Sequence, residues 1–404
     1  MKQPSMQFLA GVVVFLAAFN AWSSVLDERN QTLVDGLTPG PLQTQLQACL
    51  GDPLEKNVFS ISHRGAPLGY AEHTREGYVA AASMGAGYVE CDVTFTKDRE
   101  LVCRHSQCDL HTTTNILNTP LAEKCSSPPD FSSGTPFSDV KCCTSDITLK
   151  EFKSLQGRMD AGDKKAKTVE EYLAAVPKHR PEIKAATGTL MTHKESIELF
   201  QSLGVKMIPE LKAASVDMPF EGDFTQQQYA KALVAEYLEA GVDPGDVVLQ
   251  SFNLDDVLFW LEESPDFGRQ ATWLDGRYRD RSFDIDNADT WKPSMAELRA
   301  MGVTHLAPPL WMLMTLDKEK NLIASDYAKS AKTEGLNLIA WTLERSGPLG
   351  GGGGWYFQTV KPAITKDSDV LRVLDVLTQE IGVNGVFSDW PATSTFYANC
   401  VGVN

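Results

Sequence analysis

The chain has too few basic residues to balance its acidic ones. Across 404 residues, 37 Lys and Arg stand against 53 Asp and Glu, which gives a formal net charge of −16 at pH 7. Nucleic-acid binding depends on cationic surfaces that release counterions from phosphates, so this balance argues against a nucleic-acid partner. A small anionic ligand would instead need a local cationic pocket, formed by a metal ion or by particular Arg and Lys side chains.

Long hydrophobic runs are also scarce. The apolar run from Phe8 to Phe19 is shorter than the roughly 20 residues that a membrane-spanning helix needs. It follows Lys2 and precedes small residues, so we predict a cleaved signal peptide over residues 1–24, with an uncleaved anchor helix as the alternative. No later segment is long and apolar enough to span. We therefore expect an exported protein, periplasmic or secreted, that keeps no stable membrane anchor after cleavage.

The eight cysteines form no Cys-x-x-Cys pair, so their spacing does not indicate a zinc site. Cysteine-rich chains in oxidising compartments favour disulfides. Cys49 and Cys400 lie near the two ends of the mature chain and could join them, although spacing does not determine pairing. Four others fall in a stretch rich in Ser, Pro and Thr, and we predict that disulfides hold this stretch in shape: Cys108, Cys125, Cys142 and Cys143.

Short apolar runs alternate with helix-like segments along most of the chain. Eight runs predict strands: Val58–Ser62, Tyr88–Phe95, Val205–Leu211, Val247–Phe252, Gln270–Leu274, Thr304–Ala307, Leu336–Leu343 and Gly385–Phe387. Repeated strand and helix units imply parallel strands with right-handed crossovers. Eight units predict an α/β fold of the (β/α)₈ TIM barrel type, although an open doubly wound sheet has the same local pattern.

The predicted barrel covers residues 58–396, between an N-terminal extension at 25–57 and a C-terminal tail at 397–404. The strand and helix rhythm fails over residues 107–204, which we interpret as an insertion after the second strand unit, Cys-rich in its first half. A second irregularity is the glycine run at 350–354. It predicts a loop, either a plain linker or a lid over the carboxyl ends of the strands.

Carboxylates recur on single faces of two predicted strands. Glu90 and Asp92 alternate with apolar residues, so both project to one face, where burial would require a cation to offset their repulsion. An exposed edge strand with two solvated acids is the alternative. Glu210 and Lys212 share a face in the same way, and Lys212 could serve either as an ion-pair partner of Glu210 or as a cation for a bound phosphate. Oxygen ligands of this kind suit Ca²⁺ or Mg²⁺.

Two histidines close predicted strands. His63 ends the first strand and is followed by Arg64 and Gly65, while His105 ends a short return strand after Asp92. Phosphodiester cleavage needs a base for the nucleophile and an acid for the leaving oxygen, and imidazoles suit both roles. Arg64 offers a planar fork for phosphate oxygens. The remaining histidines match no motif, and we interpret them as structural or surface residues: His111, His179, His193 and His305.

The order and spacing of several motifs resemble the glycerophosphodiester phosphodiesterase family. The resemblance extends from residue 58 to residue 391 and rests on these segments: Ser62-His63-Arg64-Gly65, Glu72-His73-Thr74, Gly85 to Val93, Thr96-Lys97-Asp98, Arg104-His105, Pro209 to Lys212, Ser251-Phe252-Asn253, Ala340-Trp341-Thr342 and Ser388 to Pro391. Three positions depart from the family pattern. Ala71 and His73 replace the usual Pro and Asn of a Pro-Glu-Asn-Thr loop, and Ser106 replaces the usual Asp.

The resemblance implies a barrel enzyme that cleaves a small-molecule glycerophosphodiester to sn-glycerol 3-phosphate and an alcohol. By resemblance, one divalent cation would be held by Glu90, Asp92 and Glu210, and the two histidines would form the acid/base pair. Arg64, Lys212 and Trp341 would bind the substrate: two cations at the phosphate and an aromatic wall. A lysophospholipase D or sphingomyelinase D-like activity, and a non-catalytic binding protein on the same barrel, are the alternatives. The sequence indicates no particular oligomeric state.

Overall fold

The computed structural model describes residues 28–177, 180 and 184–403. The predicted signal peptide, residues 1–24, and His179 lie outside the described residues. Within the described part, no helix combines the length and the hydrophobicity that crossing a bilayer requires.

The fold is mixed α/β and is built on a curled, mostly parallel sheet of eleven strands. The sheet order is β4-β3-β8-β9-β10-β11-β14-β15-β1-β2-β7, and two hairpins, β5 with β6 and β12 with β13, lie outside it. Every predicted strand has a counterpart. The strands are β1 (Asn57–Ser62), β2 (Ala86–Val89), β3 (Asp92–Phe95), β4 (Leu101–Cys103), β5 (Gln156–Arg158), β6 (Thr187–Thr189), β7 (Lys206–Met207), β8 (Glu210–Leu211), β9 (Gln250–Ser251), β10 (Thr272–Leu274), β11 (His305–Ala307), β12 (Met314–Leu316), β13 (Leu322–Ala324), β14 (Asn337–Leu343) and β15 (Gly385–Ser388).

Two predicted strands are interrupted where the polar residues lie. Only Glu90 and Cys91 separate β2 from β3, and two residues including Pro209, which has no N–H to donate, separate β7 from β8. Backbone bonds continue across both interruptions: the Ile208 N–H donates to the Val89 carbonyl at 3.2 Å, and the Glu210 N–H donates to the Cys91 carbonyl at 3.1 Å. Each interrupted pair therefore follows the course of one longer strand.

The concave side of the sheet carries a layer of apolar side chains, drawn from successive strands or the residues beside them. These side chains are Ile61, Ile208, Val248, Leu274, Ala307, Ile339 and Phe387. The period of two along each strand sends alternate residues inward to this layer and outward to the helices. The polar residues that follow the layer therefore collect at the carboxyl end of the sheet.

Helices cover the outer side of the sheet, and the largest apolar core lies between the two. Several begin at a capping box, as at Thr192 with Glu195 and Thr225 with Gln228, which satisfies otherwise free N–H groups. The helices are α1 (28–35), α2 (Pro41–Ala48), α3 (Arg75–Ser83), α4 (Leu110–Thr113), α5 (Leu149–Phe152), α6 (Val169–Leu173), α7 (His193–Leu203), α8 (Gln226–Glu239), α9 (Leu254–Glu263), α10 (Pro265–Gly268), α11 (Met295–Ala300), α12 (Leu310–Leu313), α13 (Asp326–Thr333), α14 (Asp369–Asp375) and α15 (Pro391–Val401).

The segment between β4 and α7 has a smaller apolar core of its own, which includes Phe137, Phe152 and Tyr172. Disulfides Cys108–Cys143 and Cys125–Cys142 lie within it, as the composition predicts. By contrast, α7 at the end of the predicted insertion packs into the main core.

Two further disulfides join distant or buried positions. Cys49–Cys400 connects the two ends of the described chain, as anticipated, and Cys91–Cys103 joins the β2–β3 junction to β4. The four disulfides are consistent with secretion.

The glycine run after β14 is more regular than a plain loop. It enters two 3₁₀ turns, Leu349–Gly351 and Gly354–Phe357. Gly352, Gly353 and Gly354 have φ angles of 93°, 72° and 69°, a region that favours glycine. The run therefore makes a compact turn beside the carboxyl end of the sheet.

Candidate active site

The predicted site residues converge on one cavity of about 480 Å³ at the carboxyl end of the curled sheet. Seven of the eight line it: His63, Arg64, Glu90, His105, Glu210, Lys212 and Trp341. The eighth, Asp92, lies behind them with only 1% of its surface exposed. Because parallel strands end at the same edge of a sheet, residues far apart in sequence meet here.

Three carboxylates form a compact buried group. Glu90, Asp92 and Glu210 each offer one oxygen, and these oxygens lie within 4.8 Å of one another. Glu90 accepts hydrogen bonds from the Arg64 backbone N–H and from Gln250 Nε2, both at 2.9 Å. Asp92 Oδ1 is buried and accepts no hydrogen bond from the described residues. A buried carboxylate oxygen without a donor is costly, so this geometry fits a cation ligand.

The pKa directions show how the three acids share negative charge. Burial, together with Asp92 and Glu210, raises the pKa of Glu90 well above its usual range. Burial also raises the pKa of Glu210 to about 7, against the opposing charge of Lys212. Burial alone would raise the pKa of Asp92 as well, but Lys212 and His73 outweigh it and hold that pKa well below its usual range. The group therefore carries negative charge that its neighbours only partly compensate.

Lys212 is the cation nearest to this acidic group. Its Nζ lies 2.6 Å from Glu210 Oε1 and 4.0 Å from Asp92 Oδ1. The ion pair anticipated from the strand spacing is therefore present, and the same side chain also lines the cavity.

His73, which departs from the family pattern, orients Asp92. Its Nε2 lies 2.9 Å from Asp92 Oδ2, and its Nδ1 lies 2.9 Å from the Tyr78 hydroxyl. The ring is fully buried, and burial lowers its pKa. A neutral imidazole can donate from Nε2 to the carboxylate and accept from the tyrosine hydroxyl through Nδ1. His73 thus supports a carboxylate of the acidic group without reaching the cavity.

His63 is held by the carboxylate of Asp389, a residue that lies in one of the family motifs but to which the sequence analysis assigns no role. Its Nδ1 lies 2.5 Å from Asp389 Oδ1, just beyond the end of β15. Arg345 donates to the other oxygen of Asp389 at 3.1 Å. Burial and the charge of Arg64 lower the pKa of His63 to about 4, against the opposing effect of Asp389. The ring is therefore neutral near pH 7, with Nδ1–H directed to Asp389 and Nε2 accepting a hydrogen bond from Arg64 Nε at 3.3 Å.

Arginine–carboxylate pairs surround this histidine. Glu72 accepts from Arg64 at 3.1 Å and from Arg345 at 3.3 Å. Burial alone would raise the pKa of Glu72, but the two guanidinium groups outweigh it and hold the pKa well below its usual range. Arg345 also donates to Asp160 Oδ2 at 3.2 Å, and Arg180 lies 2.6 Å from the other Asp160 oxygen. Asp160 belongs to the predicted insertion, so that segment contacts the site directly.

The backbone around Arg64 is constrained. Arg64 and His73 have φ angles of 58° and 51°, in the left-handed region that few non-glycine residues adopt. Gly65 follows with φ 94°, and a Cβ there would lie 3.0 Å from the backbone of Gly77. The Arg64 carbonyl accepts from the His73 N–H at 3.0 Å, which ties the two unusual residues together. Such outliers concentrate at functional sites.

His105 reaches the cavity from the short strand β4. It is half-buried, and burial with the charges of Arg64 and Lys212 lowers its pKa well below its usual range. Its ligand atoms also lie within 4.8 Å of those of Glu72 and Asp109. Asp109 accepts a hydrogen bond from the Ser106 backbone N–H at 2.9 Å, so a carboxylate lies beside the position where the family pattern has Asp.

Aromatic residues form the wall opposite the acids. Trp341 donates from Nε1 to the Ala307 carbonyl at 2.7 Å. Its ring packs nearly parallel to Trp355, with centroids 5.9 Å apart, and edge-on to Tyr356 and Phe252. These contacts hold the Trp341 ring in place where it lines the cavity. Phe357, which directly follows Tyr356 in the sequence, is fully buried in the core and does not line the cavity.

Comparison with protein-family models shows which family the chain belongs to. The model of the Glycerophosphoryl diester phosphodiesterase family matches residues 63–393, most of the chain. The chain belongs to the glycerophosphoryl diester phosphodiesterase family. The family and the enzyme class predicted from the motifs are thereby confirmed.

This phosphodiesterase is similar to several individual proteins. An extracellular protein of Arthroderma benhamiae is 44% identical over 246 residues, which cover 60% of this chain and 99% of that protein. A glycerophosphodiester phosphodiesterase of Haemophilus influenzae is 24% identical over 371 residues, 84% of this chain and 89% of that protein. Among solved structures, a protein assigned as a glycerophosphoryl diester phosphodiesterase from Silicibacter pomeroyi DSS-3 matches with a TM-score of 0.57 and 17% identity, over 89% of this chain and 99% of that one. The last likeness bears on the fold alone.

Several site residues of this phosphodiesterase were missed by sequence reasoning. Asp389 stands in a quoted strand-end motif, so the strand-end argument that selected His63 could also have selected it. Arg345, Asp160 and Gln250 follow no motif. The partners of Arg345 lie 44, 185 and 273 residues away along the chain, and Glu90, the partner of Gln250, lies 160 residues away. Cys91 and Cys103 could have been paired from the predicted hairpin, since Val93 lies opposite Cys103.

Proposed function

We propose that this chain hydrolyses glycerophosphodiesters to sn-glycerol 3-phosphate and an alcohol, using one divalent cation, Ca²⁺ or Mg²⁺, held by Glu90, Asp92 and Glu210. One observation carries the proposal: three buried carboxylate oxygens within 4.8 Å of one another, one of them without a hydrogen-bond donor among the described residues, beside two imidazoles. Hard oxygen ligands select cations of this kind.

The bound cation would polarise a phosphate oxygen and orient the attacking hydroxyl. Arg64 and Lys212 bind the phosphate of the substrate, since both line the cavity and both carry charge there. Trp341 closes the opposite wall and excludes water from that side.

Proton transfer falls to His63 and His105. The glycerol hydroxyl next to the diester attacks phosphorus while one imidazole accepts its proton. The bond from phosphorus to the leaving oxygen then breaks, and that oxygen takes a proton from the other histidine, which enters this step as imidazolium, the form that the negative charge of the bound phosphate favours. Water opens the resulting cyclic phosphate to sn-glycerol 3-phosphate. Asp389 fixes the tautomer and orientation of His63 through Nδ1.

The decisive experiment measures release of sn-glycerol 3-phosphate from a panel of glycerophosphodiesters by the purified protein. We expect turnover with Ca²⁺ or Mg²⁺, its loss after exhaustive chelation, and its return when the cation is restored. Activity that survives chelation would overturn the metal assignment. Absence of turnover on the whole panel with either cation would favour the non-catalytic binding protein instead.

The proposal also covers the domain arrangement and the localisation of the protein. If β2 and β3 are counted as one strand, and β7 and β8 as another, the sheet has eight parallel strands. Each of them pairs with two neighbours, so that the last strand pairs with the first. This pairing supports a closed (β/α)₈ barrel over residues 58–396. The separate apolar core between β4 and α7 supports an insertion within 107–204. Four disulfides and the extracellular relative support secretion.

A second candidate, a lysophospholipase D or sphingomyelinase D-like activity, is favoured by the aromatic cavity mouth. Trp355 is 40% exposed beside Trp341 and Tyr356, and an exposed aromatic can contact a lipid chain. Choline release from lysophosphatidylcholine or sphingomyelin that exceeds release from glycerophosphocholine would establish this candidate. The opposite order would reject it.

A further inference from the structure

The cavity contains a cation, Arg279, that no motif selects and that the proposed mechanism does not use. Arg279 ends a 3₁₀ turn, Arg277–Arg279, directly after β10, and its exposed side chain lines the cavity. Its neighbour Arg277 is buried and bonded to Asp275 and Tyr327. By contrast, no ion pair or hydrogen bond joins the Arg279 side chain to another residue in the described part of the chain.

Two aromatic rings hold the Arg279 guanidinium in place. Its central carbon lies 4.3 Å from the centroid of Phe252 and 5.7 Å from that of Tyr278. Stacking on a ring face leaves the N–H groups at the edge of the guanidinium free to donate. The side chain is therefore oriented by apolar contacts while its charge and donors stay available to a ligand.

The same contacts argue against a cationic leaving group. Aromatic walls bind quaternary ammonium groups when ring faces are free. Here Arg279 occupies the Phe252 face, and the faces of Trp341 and Trp355 pack against each other at 5.9 Å. A second cation at this wall would also be repelled by Arg279.

From this geometry, and resting on the proposed function, we propose that Arg279 forms a leaving-group subsite for an alcohol that carries its own negative charge. The subsite joins the guanidinium of Arg279 to the Phe252 and Tyr278 rings. Its ligand is an anionic alcohol, such as a polyol with an additional phosphate, which the planar N–H groups bind as an ion pair. Arg279 acts here as a specificity residue and takes no part in proton transfer.

A matched pair of substrates tests the subsite directly. Initial rates are measured with saturating cation on glycerophosphoinositol, on the same compound with one further phosphate on the ring, and on glycerophosphocholine. We expect kcat/KM to favour the phosphorylated compound by about tenfold over glycerophosphoinositol, mainly through KM, and glycerophosphocholine to be the poorest. Arg279→Gln should reduce that preference to near unity, and Arg279→Lys should retain part of it.

Arg281→Gln is the matched control, because it removes an exposed arginine two residues away that does not line the cavity. It should keep the wild-type preference. Equal rates on the matched pair by wild type, or an unchanged preference in Arg279→Gln, would overturn the subsite while leaving diester hydrolysis in place. Failure to hydrolyse any of the three compounds would overturn both the subsite and the proposed function.

Discussion

Two groups of buried carboxylates at the site differ in how their negative charge is balanced. On the acidic side, burial and mutual repulsion raise the pKa of Glu90 well above its usual range and that of Glu210 to about 7. On the arginine side, guanidinium groups outweigh burial and hold the pKa of Glu72 and of Asp389 below their usual ranges, whereas burial and Glu72 raise the pKa of the third carboxylate, Asp160. We define the acidic side as Glu90, Asp92 and Glu210, and the arginine side as Glu72, Asp160 and Asp389 with Arg64, Arg180 and Arg345.

The difference separates two tasks that carboxylates perform in one site. The arginine side is charge-balanced within the protein, so its carboxylates can only position other groups. Among the described residues, the three carboxylates of the acidic side have two close cations, Lys212 at 2.6 Å from Glu210 and Arg64 at 3.8 Å from Asp92, and Arg64 is shared with Glu72. One Asp92 oxygen has no donor, so the acidic side needs a further positive charge. Removing a carboxylate from either side should therefore have different consequences.

The largest expected effect is on the acidic side. Asp92→Asn removes a charge and an oxygen ligand, and we expect it to lower kcat/KM by at least about 10³-fold, because a cation contributes several kcal/mol to transition-state stabilisation. Calorimetric titration should show weakened Ca²⁺ or Mg²⁺ binding in parallel. Glu100→Gln, at an exposed position beside the same hairpin, is the control and should match wild type. Full activity in Asp92→Asn would refute the metal assignment.

Loss of either imidazole should come next. His63→Ala and His105→Ala should each lower kcat by about 10²- to 10⁴-fold, the range of general acid–base catalysis, while cation affinity stays within a factor of about three. His305→Gln serves as the control, since His305 lies at the start of β11, away from the cavity lining. A variant that lost cation binding together with activity would show that the histidine serves the acidic side instead.

On the arginine side we expect a smaller effect with a distinctive pH dependence. Asp389→Asn should lower kcat roughly 10- to 100-fold, as is usual for a group that orients a catalytic residue. The Asp389 charge raises the pKa of His63, which burial and Arg64 lower to about 4. Its removal should therefore move the acid limb of the kcat/KM profile to lower pH. A fall in activity with an unmoved acid limb would mean that Asp389 only supports the fold.

The difference between the two sides also explains what the sequence could reveal. Two parts of the acidic side could be predicted from a local pattern, because the period of two puts Glu90 and Asp92 on one face and Glu210 with Lys212 on another. The grouping of Glu210 with Glu90 and Asp92 was implied by the family resemblance. The strand positions followed from the same periodicity. The break within β2–β3 could not be predicted, because it depends on pairing between the strands, whereas Pro209 is visible in the sequence at the break within β7–β8.

The residues of the arginine side show almost no local pattern in the sequence. Arg345 has partners at positions 72, 160 and 389, and only the closed tertiary structure brings them together. Asp160 lies in a segment with little periodicity, where neither strand nor helix spacing indicates which way a side chain points. Ion pairs between residues so far apart in the sequence depend on the tertiary structure and cannot be predicted from the sequence alone.

The smallest expected effect concerns the contact between the predicted insertion and the arginine side. Asp160→Asn removes one partner of Arg345 but leaves its bonds to Glu72 and Asp389, so we expect kcat to fall less than about tenfold, the scale of one partly exposed ion pair. The acid limb of the pH profile should stay in place, because Asp389 still faces His63. Asp163→Asn, exposed in the same loop, should behave as wild type. A loss of kcat in Asp160→Asn as large as that in Asp389→Asn would contradict this expectation. It would mean that Arg345 depends on the insertion for its position, and that no single ion pair dominates on the arginine side.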